Sequence, residues 1–328
     1  MLLRYTVPVT FSVLGESLDK QALTAHFVLK RLHGEISLAA QGEPLSFDFE
    51  GHALQSIAID HLCIRLGDSE EGSFGALVTG ARWDDLLAVL TEVADYCTSQ
   101  IRSTGYVAHL HVVGVSGREP ARLALYRLHA EVSEDDTNWR DLIKESDLLA
   151  TRTELIAGLV ASQPHGYLYL SRWQSVSAAL AQGSNPDPAA QCLVNAEEYL
   201  EIGDLRLAVL ESVMSLELAL ASYLRLHCEQ TNGMSKDQIA TLLSPSVTLE
   251  IRLKVLLPLC LGKQKLSDDT MKKLLKVVNW RNNIVHRQGD LPGGIPRDVA
   301  LTSVQETITV VRWLRVRTGS DEKWDSFL

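Results

Sequence analysis

Arg281-Asn282-Asn283-Ile284-Val285-His286 follows a leucine-rich run and precedes the loop Gly289-Asp290-Leu291-Pro292-Gly293-Gly294-Ile295-Pro296. The Gly/Pro loop stops the helix that the preceding periodicity starts. Ser267 is suited to cap that helix, with Asp268 and Asp269 in its first turn opposing the N-terminal dipole, so the spacing predicts a helix from Ser267 to Arg287. Working outward, Ala189–Ile202 opens a helical region. Asp204 is a candidate N-cap for a long helix over Leu205–Glu229, in which Leu205, Ala208, Val209, Ser212, Val213, Leu216, Ala219, Leu220 and Tyr223 recur at three- and four-residue steps. Ser246 is expected to cap a third helix through Leu261, disturbed by Pro258, and Asp298–Val316 forms the last. The region 189–328 is therefore expected to be an all-α bundle of four or five helices.

The chain divides at Gly183-Ser184-Asn185-Pro186-Asp187-Pro188, where glycine and two prolines cannot continue a helix. Residues 1–182 mix periods. Tyr5, Val7, Val9, Phe11 and Val13 alternate with polar residues, which is a strand pattern. Pro8 has no N–H to donate, which places that strand at an edge or at a bulge. Leu45, Phe47 and Phe49 mark a second strand, Tyr106–Val115 a third and Arg122–Val132 a fourth; Trp83–Ser99, Trp139–Ser162 and Leu168–Leu180 read as helices. The fold class expected is α+β: a mixed N-terminal domain over 1–182, a linker over 183–188, and the helical domain over 189–328.

Five scattered cysteines with no CxxC pattern argue against a disulfide framework or a zinc site. The alternating N-terminus lacks the charged start and continuous apolar core of a signal peptide. No run is read as the about 20 apolar residues that span a bilayer. The expectation is a soluble cytoplasmic protein with no membrane partner.

A net charge of −10 speaks against nucleic acid, but its distribution does not. Residues 1–188 hold 14 Lys+Arg against 24 Asp+Glu, whereas 189–328 hold 17 of each. Within Ile251–Arg287 there are nine basic residues against Asp268 and Asp269 alone. A basic stripe binds phosphate even on an acidic chain, and Lys272, Lys273, Lys276 and Arg287 are the candidates for contacting RNA. The other reading is a solvated lysine-rich helix face.

An arginine and a histidine near one helix end supply what metal-free RNA cleavage needs. Arginine neutralises a crowded phosphate, and an imidazole moves a proton near neutral pH. Asn282 and His286 are i and i+4 and share a face. Arg281 and His286 lie about 140° apart around an ideal helix. The run Val278-Asn279-Trp280-Arg281-Asn282-Asn283-Ile284-Val285-His286-Arg287, with the acidic, alanine-containing helix from Gly203 to Glu217, resembles the HEPN superfamily, whose motif is R-x4-6-H. The resemblance covers residues 190–318, about 40% of the chain. It implies a metal-independent endoribonuclease that needs no cofactor and cleaves by attack of the RNA 2′-hydroxyl, leaving a 2′,3′-cyclic phosphate. In that reading Arg281, Asn282 and His286 are catalytic. The resemblance also implies a homodimer that brings two copies of the motif into one cleft, and a toxin–antitoxin or anti-phage setting with an antitoxin or regulatory protein as partner.

Two other functional classes stand beside it. One is a catalytically silent HEPN module that binds RNA, nucleotide or a partner protein; the intact motif speaks against it. The other is a regulatory protein whose activity lies in residues 1–180, where no nucleophile triad, Walker loop or carboxylate pair occurs. The acidic N-terminal part is also a candidate shield for the basic stripe. Glu211 is a candidate partner for Arg281 or Arg206, or a surface carboxylate. His109 and His111 share a face of an expected strand, but no third metal ligand is evident. Trp280 either stacks on a base or packs in the bundle. Gly293-Gly294 lacks the GK[ST] of a phosphate loop.

Overall fold

A computed structural model describes residues 2–18, 23–30, 32–49, 52–67, 83–107, 110, 129–133, 137–138, 140–141, 167–262, 266–286 and 297–319. The protein is α+β and separates into two compact units, Met1–Pro186 and Asp187–Leu328.

The first unit is built on a mostly antiparallel sheet. Its strands are β1 (Leu2–Gly15), β2 (Thr24–Leu29), β3 (Leu32–Phe49), β4 (His52–Gly67), β5 (His129–Ser133), β6 (Arg140–Asp141) and β7 (Tyr167–Tyr169). The order is β2-β3-β4-β1-β5-β6, with β7 parallel to β1 at Ser12–Leu14. Among the described residues two helices, α1 (Trp83–Gly105) and α2 (Leu170–Ala181), pack with it. The period-two residues Tyr5, Val7, Phe11 and Val13 point into the core with Ile36, Leu62 and Ile64 of the sheet, Val93 and Ile101 of α1, and Trp173 of α2. The Tyr5 hydroxyl donates to the Leu90 carbonyl at 3.0 Å, which satisfies a buried phenol.

Pro8 lies in a central strand, and it is accommodated by a bulge. The register runs Pro8↔His61 and then Phe11↔Ile59, so two residues of β1 oppose one of β4. At Gly34 a Cβ would meet the Arg65 carbonyl and the Phe27 ring at 2.5 Å, so only glycine lets that ring lie against β3.

Several sequence expectations for this unit change. The strand expected from Tyr106 does not form at its described residues. The Val107 amide closes the end of α1 on the Arg102 carbonyl, and Tyr106 takes φ 58°. The apolar run therefore begins as a helix terminus. The helix expected from Trp139 begins instead as strand β6, paired to Glu131 and Val132 of β5. Residues 111–128 and 142–166, including His111 and most of the expected fourth strand, lie outside the described residues, as does His109.

The second unit is helical: α3 (Pro188–Glu201), α4 (Leu205–Asn232), α5 (Lys236–Leu242), α6, α7 (Asp268–His286) and α8 (Arg297–Arg317). The helix α6 is composite: Leu249–Ile251, a π-turn over Arg252–Leu256, then Leu257–Leu261. Its cap is Thr248, which accepts the Ile251 amide, rather than Ser246. The short α5 is not foreshadowed by periodicity. It carries a capping box in which Ser235 and Gln238 satisfy each other's amides.

At the centre lies α4, packed against α3, α7 and α8. Buried in this unit are Val209, Val213, Leu216, Leu220 and Leu224 of α4, Leu193 and Val194 of α3, Leu274 and Val277 of α7, and Val304, Val311 and Leu314 of α8. Asp204 caps α4 by accepting the Leu207 amide at 3.1 Å. The expectation of no run apolar enough for a bilayer needs correcting, because Leu205–Thr231 reaches a mean hydropathy of 1.5 and is long enough to cross one, with 56% of the apolar window buried inside the unit. Burial of α4 on one side by three helices accounts for its composition.

Candidate functional site

The helix α7 starts where Ser267 accepts the Thr270 amide at 3.0 Å and has Asp268 and Asp269 in its first turn. It buries Leu274, Val277, Val278, Trp280 and Ile284 against the bundle. Trp280 is thus a packing residue, 7% exposed. The opposite side carries Lys272, Lys276, Asn279, Asn282 and His286, all exposed.

Spacing puts Lys272, Lys276, Asn279, Asn283 and His286 on one stripe within about 40° of its centre line. Arg281 sits about 140° from His286 on an ideal helix and is half-buried. Its Nη1 donates to the Asn282 Oδ1 at 3.1 Å. Asn282 is therefore engaged with the arginine, one turn along the helix from the histidine.

Beside the stripe, α7 and α8 enclose a cleft of about 580 Å³. Asp269, Lys272, Lys273, Lys276 and Asn279 line one wall, and Asp298, Val299, Thr302 and Ser303 of α8 the other, so two carboxylates share the cleft with the lysines.

Surroundings sort the basic residues. Lys273 lies 2.9 Å from Asp269 and 3.7 Å from Glu306, which also accepts the Thr270 hydroxyl at 2.6 Å. The hydrogen bond to Asp269 raises the Lys273 pKa, and the same contact lowers that of Asp269. Lys273 thus ties α7 to α8. Arg252 is buried, its Nη2 donating to the Leu243 and Ser244 carbonyls at 2.8 and 3.0 Å. Lys254 pairs with Glu250. Lys272 and Lys276 have no ion pair among the described residues, and with Arg281 they are the cations of α7 left for a ligand. Lys263, Lys265 and Arg287, and the loop with Gly293-Gly294, lie outside the described residues.

Glu211 does not meet Arg281 or Arg206. It faces α3, where Asn195 Nδ2 donates to its Oε2 at 3.3 Å. The neighbouring Cys192 thiol is pushed up to about 12, by burial first and then by the Glu211 carboxylate. That thiol is inert as a nucleophile near neutrality. Among the described residues no three His, Cys, Asp or Glu side chains converge on a metal-sized position.

Reading the sequence alone missed the α8 wall of the cleft and the separate fates of Lys272 and Lys273. The i, i+4, i+7, i+11, i+14 spacing from Lys272 to His286 was the available signal for the stripe. No protein-family model, curated protein or solved structure matches this chain.

Proposed function

We propose that the helical unit is a HEPN-type, metal-independent endoribonuclease that works as a homodimer. The observation that carries this reading is the exposed His286 at the end of a stripe that continues through Asn279 to Lys276 and Lys272 of the α7–α8 cleft.

In the reaction, the RNA 2′-oxygen forms a bond to the adjacent phosphorus as the bond to the 5′-oxygen breaks. His286 takes the 2′-hydroxyl proton or supplies one to the leaving oxygen. Arg281 stabilises the charge that builds on the non-bridging oxygens. Asn282, already bonded to Arg281, holds the guanidinium in place. With Arg281 and His286 divergent on one helix, a single chain does not direct both at one phosphate. A two-fold partner supplies the missing group. The cleft lysines hold the flanking backbone, and buried Trp280 offers no stacking platform, so contacts beyond the scissile step are to phosphate and carry little sequence information.

The test is cleavage of labelled RNA in EDTA by wild type, His286→Ala and Arg281→Ala. Cleavage by wild type alone, ending in cyclic phosphate, supports the reading. RNA retention without cleavage by any of the three replaces it with a silent RNA-binding module.

A further inference from the structure

Three of the sulfur side chains of this protein converge on one small cavity that shares no lining residue with the lysine cleft. Its volume is about 190 Å³, and it lies between α4, α5 and α6. Cys228 of α4, Cys260 of α6 and Met234 of the α4–α5 turn line it, and every other lining residue is leucine or isoleucine. No carboxylate, imidazole or amine lines it.

Local structure explains the convergence. The helix α4 ends at Gly233 with φ 58°, a left-handed cap. The Met234 amide then folds back to the Cys228 carbonyl at 3.1 Å, which brings the thioether residue beside the cysteine. On the other wall, the π-turn Arg252–Leu256 inserts one extra residue into α6 and resets the face that Leu259 and Cys260 present. Both cysteines are free thiols. Cys228 is buried, while Cys260 is partly exposed and gives solvent a route to the sulfurs.

We propose that this cavity is a binding site for a soft monovalent metal ion, copper(I), held by the Cys228 and Cys260 thiolates with the Met234 thioether as a neutral third ligand. Thiolate and thioether donors select copper(I) over hard cations. Two or three sulfurs satisfy its low coordination number, whereas a zinc site needs four donors and finds no imidazole or carboxylate here. Binding releases two protons, one from each thiol, and leaves the copper oxidation state unchanged. The Leu and Ile side chains that line the rest of the cavity offer no competing donor to the bound ion.

The thiols already sense each other. Burial, then the adjacent Cys228, pushes the Cys260 pKa up to about 11, so this thiol is protonated near neutral pH and metal capture is the step that ionises it. The bis-thiolate site carries one net negative charge.

The experiment loads the full-length protein anaerobically with copper(I) against bathocuproine disulfonate and reads bound metal per chain. Expected are one copper per chain for wild type and Cys97→Ser, loss of binding in Cys228→Ser and Cys260→Ser, and about ten-fold weaker binding in Met234→Leu. Zinc(II) should not be retained. X-ray absorption of loaded wild type, which needs no variant, should show a shell of two or three sulfurs and no nitrogen. Failure of wild type to hold copper(I), a nitrogen or oxygen shell, or undiminished binding in the two serine variants would each overturn the proposal.

Discussion

Lys273 lies 2.9 Å from Asp269, while its sequence neighbour Lys272, which lines the same α7–α8 cleft, has no ion pair among the described residues. Two adjacent lysines thus have different jobs. Replacing both Lys272 and Lys276 with alanine is expected to weaken RNA binding. The slope of log K against log salt should become shallower by about 0.7 for each phosphate that is no longer neutralised. Lys273→Ala should leave that slope unchanged and lower the thermal midpoint. Filter binding across a salt series, beside thermal melts, checks both. Equal slopes for all three proteins would remove the cleft from the RNA path.

The homodimer makes a complementation prediction. Arg281→Ala and His286→Ala chains, inactive alone, should regain activity when mixed and refolded together, because a mixed dimer retains one site with Arg281 from one chain and His286 from the other. Random pairing gives about a quarter of the wild-type rate. No recovery, with mixed dimers verified by mass, would place both residues of a site in one chain.

Val285 is 51% exposed beside His286, an apolar side chain at the face assigned to the partner. Val285→Glu is expected to raise the dimer dissociation constant by at least about ten-fold, since the carboxylate must be desolvated or leave the interface open. Light scattering over a concentration series reads it. Wild type that stays monomeric at micromolar concentration would count against the dimer itself.

Asp187 caps α3 through the Ala189 amide at 2.8 Å, and its other oxygen pairs with Arg315 of α8. The arginine is buried, its side chain 5% exposed. Arg315→Ala should therefore destabilise the helical unit by about 3 kcal/mol, because truncating a buried side chain leaves a cavity. Asp187→Asn keeps the cap acceptor and should cost less. Urea denaturation followed by circular dichroism measures both, and a smaller loss in Arg315→Ala than in Asp187→Asn would contradict the assignment.

In the first unit, Asp95 is held at about 6, by desolvation first and then by the nearby Glu92. Its Oδ1 is buried without a hydrogen bond. The folded value lies above the unfolded one, near 4. The folded state therefore binds the extra proton between them, and this stability is present below pH ~4 and is lost as pH rises through about 6. Asp95→Asn should stabilise the protein at pH 7 and flatten stability between pH 4 and pH 7. An unchanged profile would mean that Asp95 is solvated in the folded state.

What the sequence determined by itself is what a few consecutive residues control. Side-chain oxygens at Asp204 and Ser267 accept amides three residues on, so those helix starts were legible. The alternation from Tyr5 to Val13 placed β1, and the missing N–H of Pro8 required an edge or a bulge. Tertiary structure chose the bulge, because β4 and β5 pair with β1 from both sides. It also made Tyr106 and Val107 the terminus of α1, and put a π-turn just before Pro258, where a disturbance was expected. The candidate site divides in the same way. The stripe from Lys272 to His286 follows from helical spacing alone. Which lysine is occupied, where Glu211 points and which sulfurs meet depend on α3, α5, α6 and α8, brought alongside by burial of a common apolar core that no local pattern encodes.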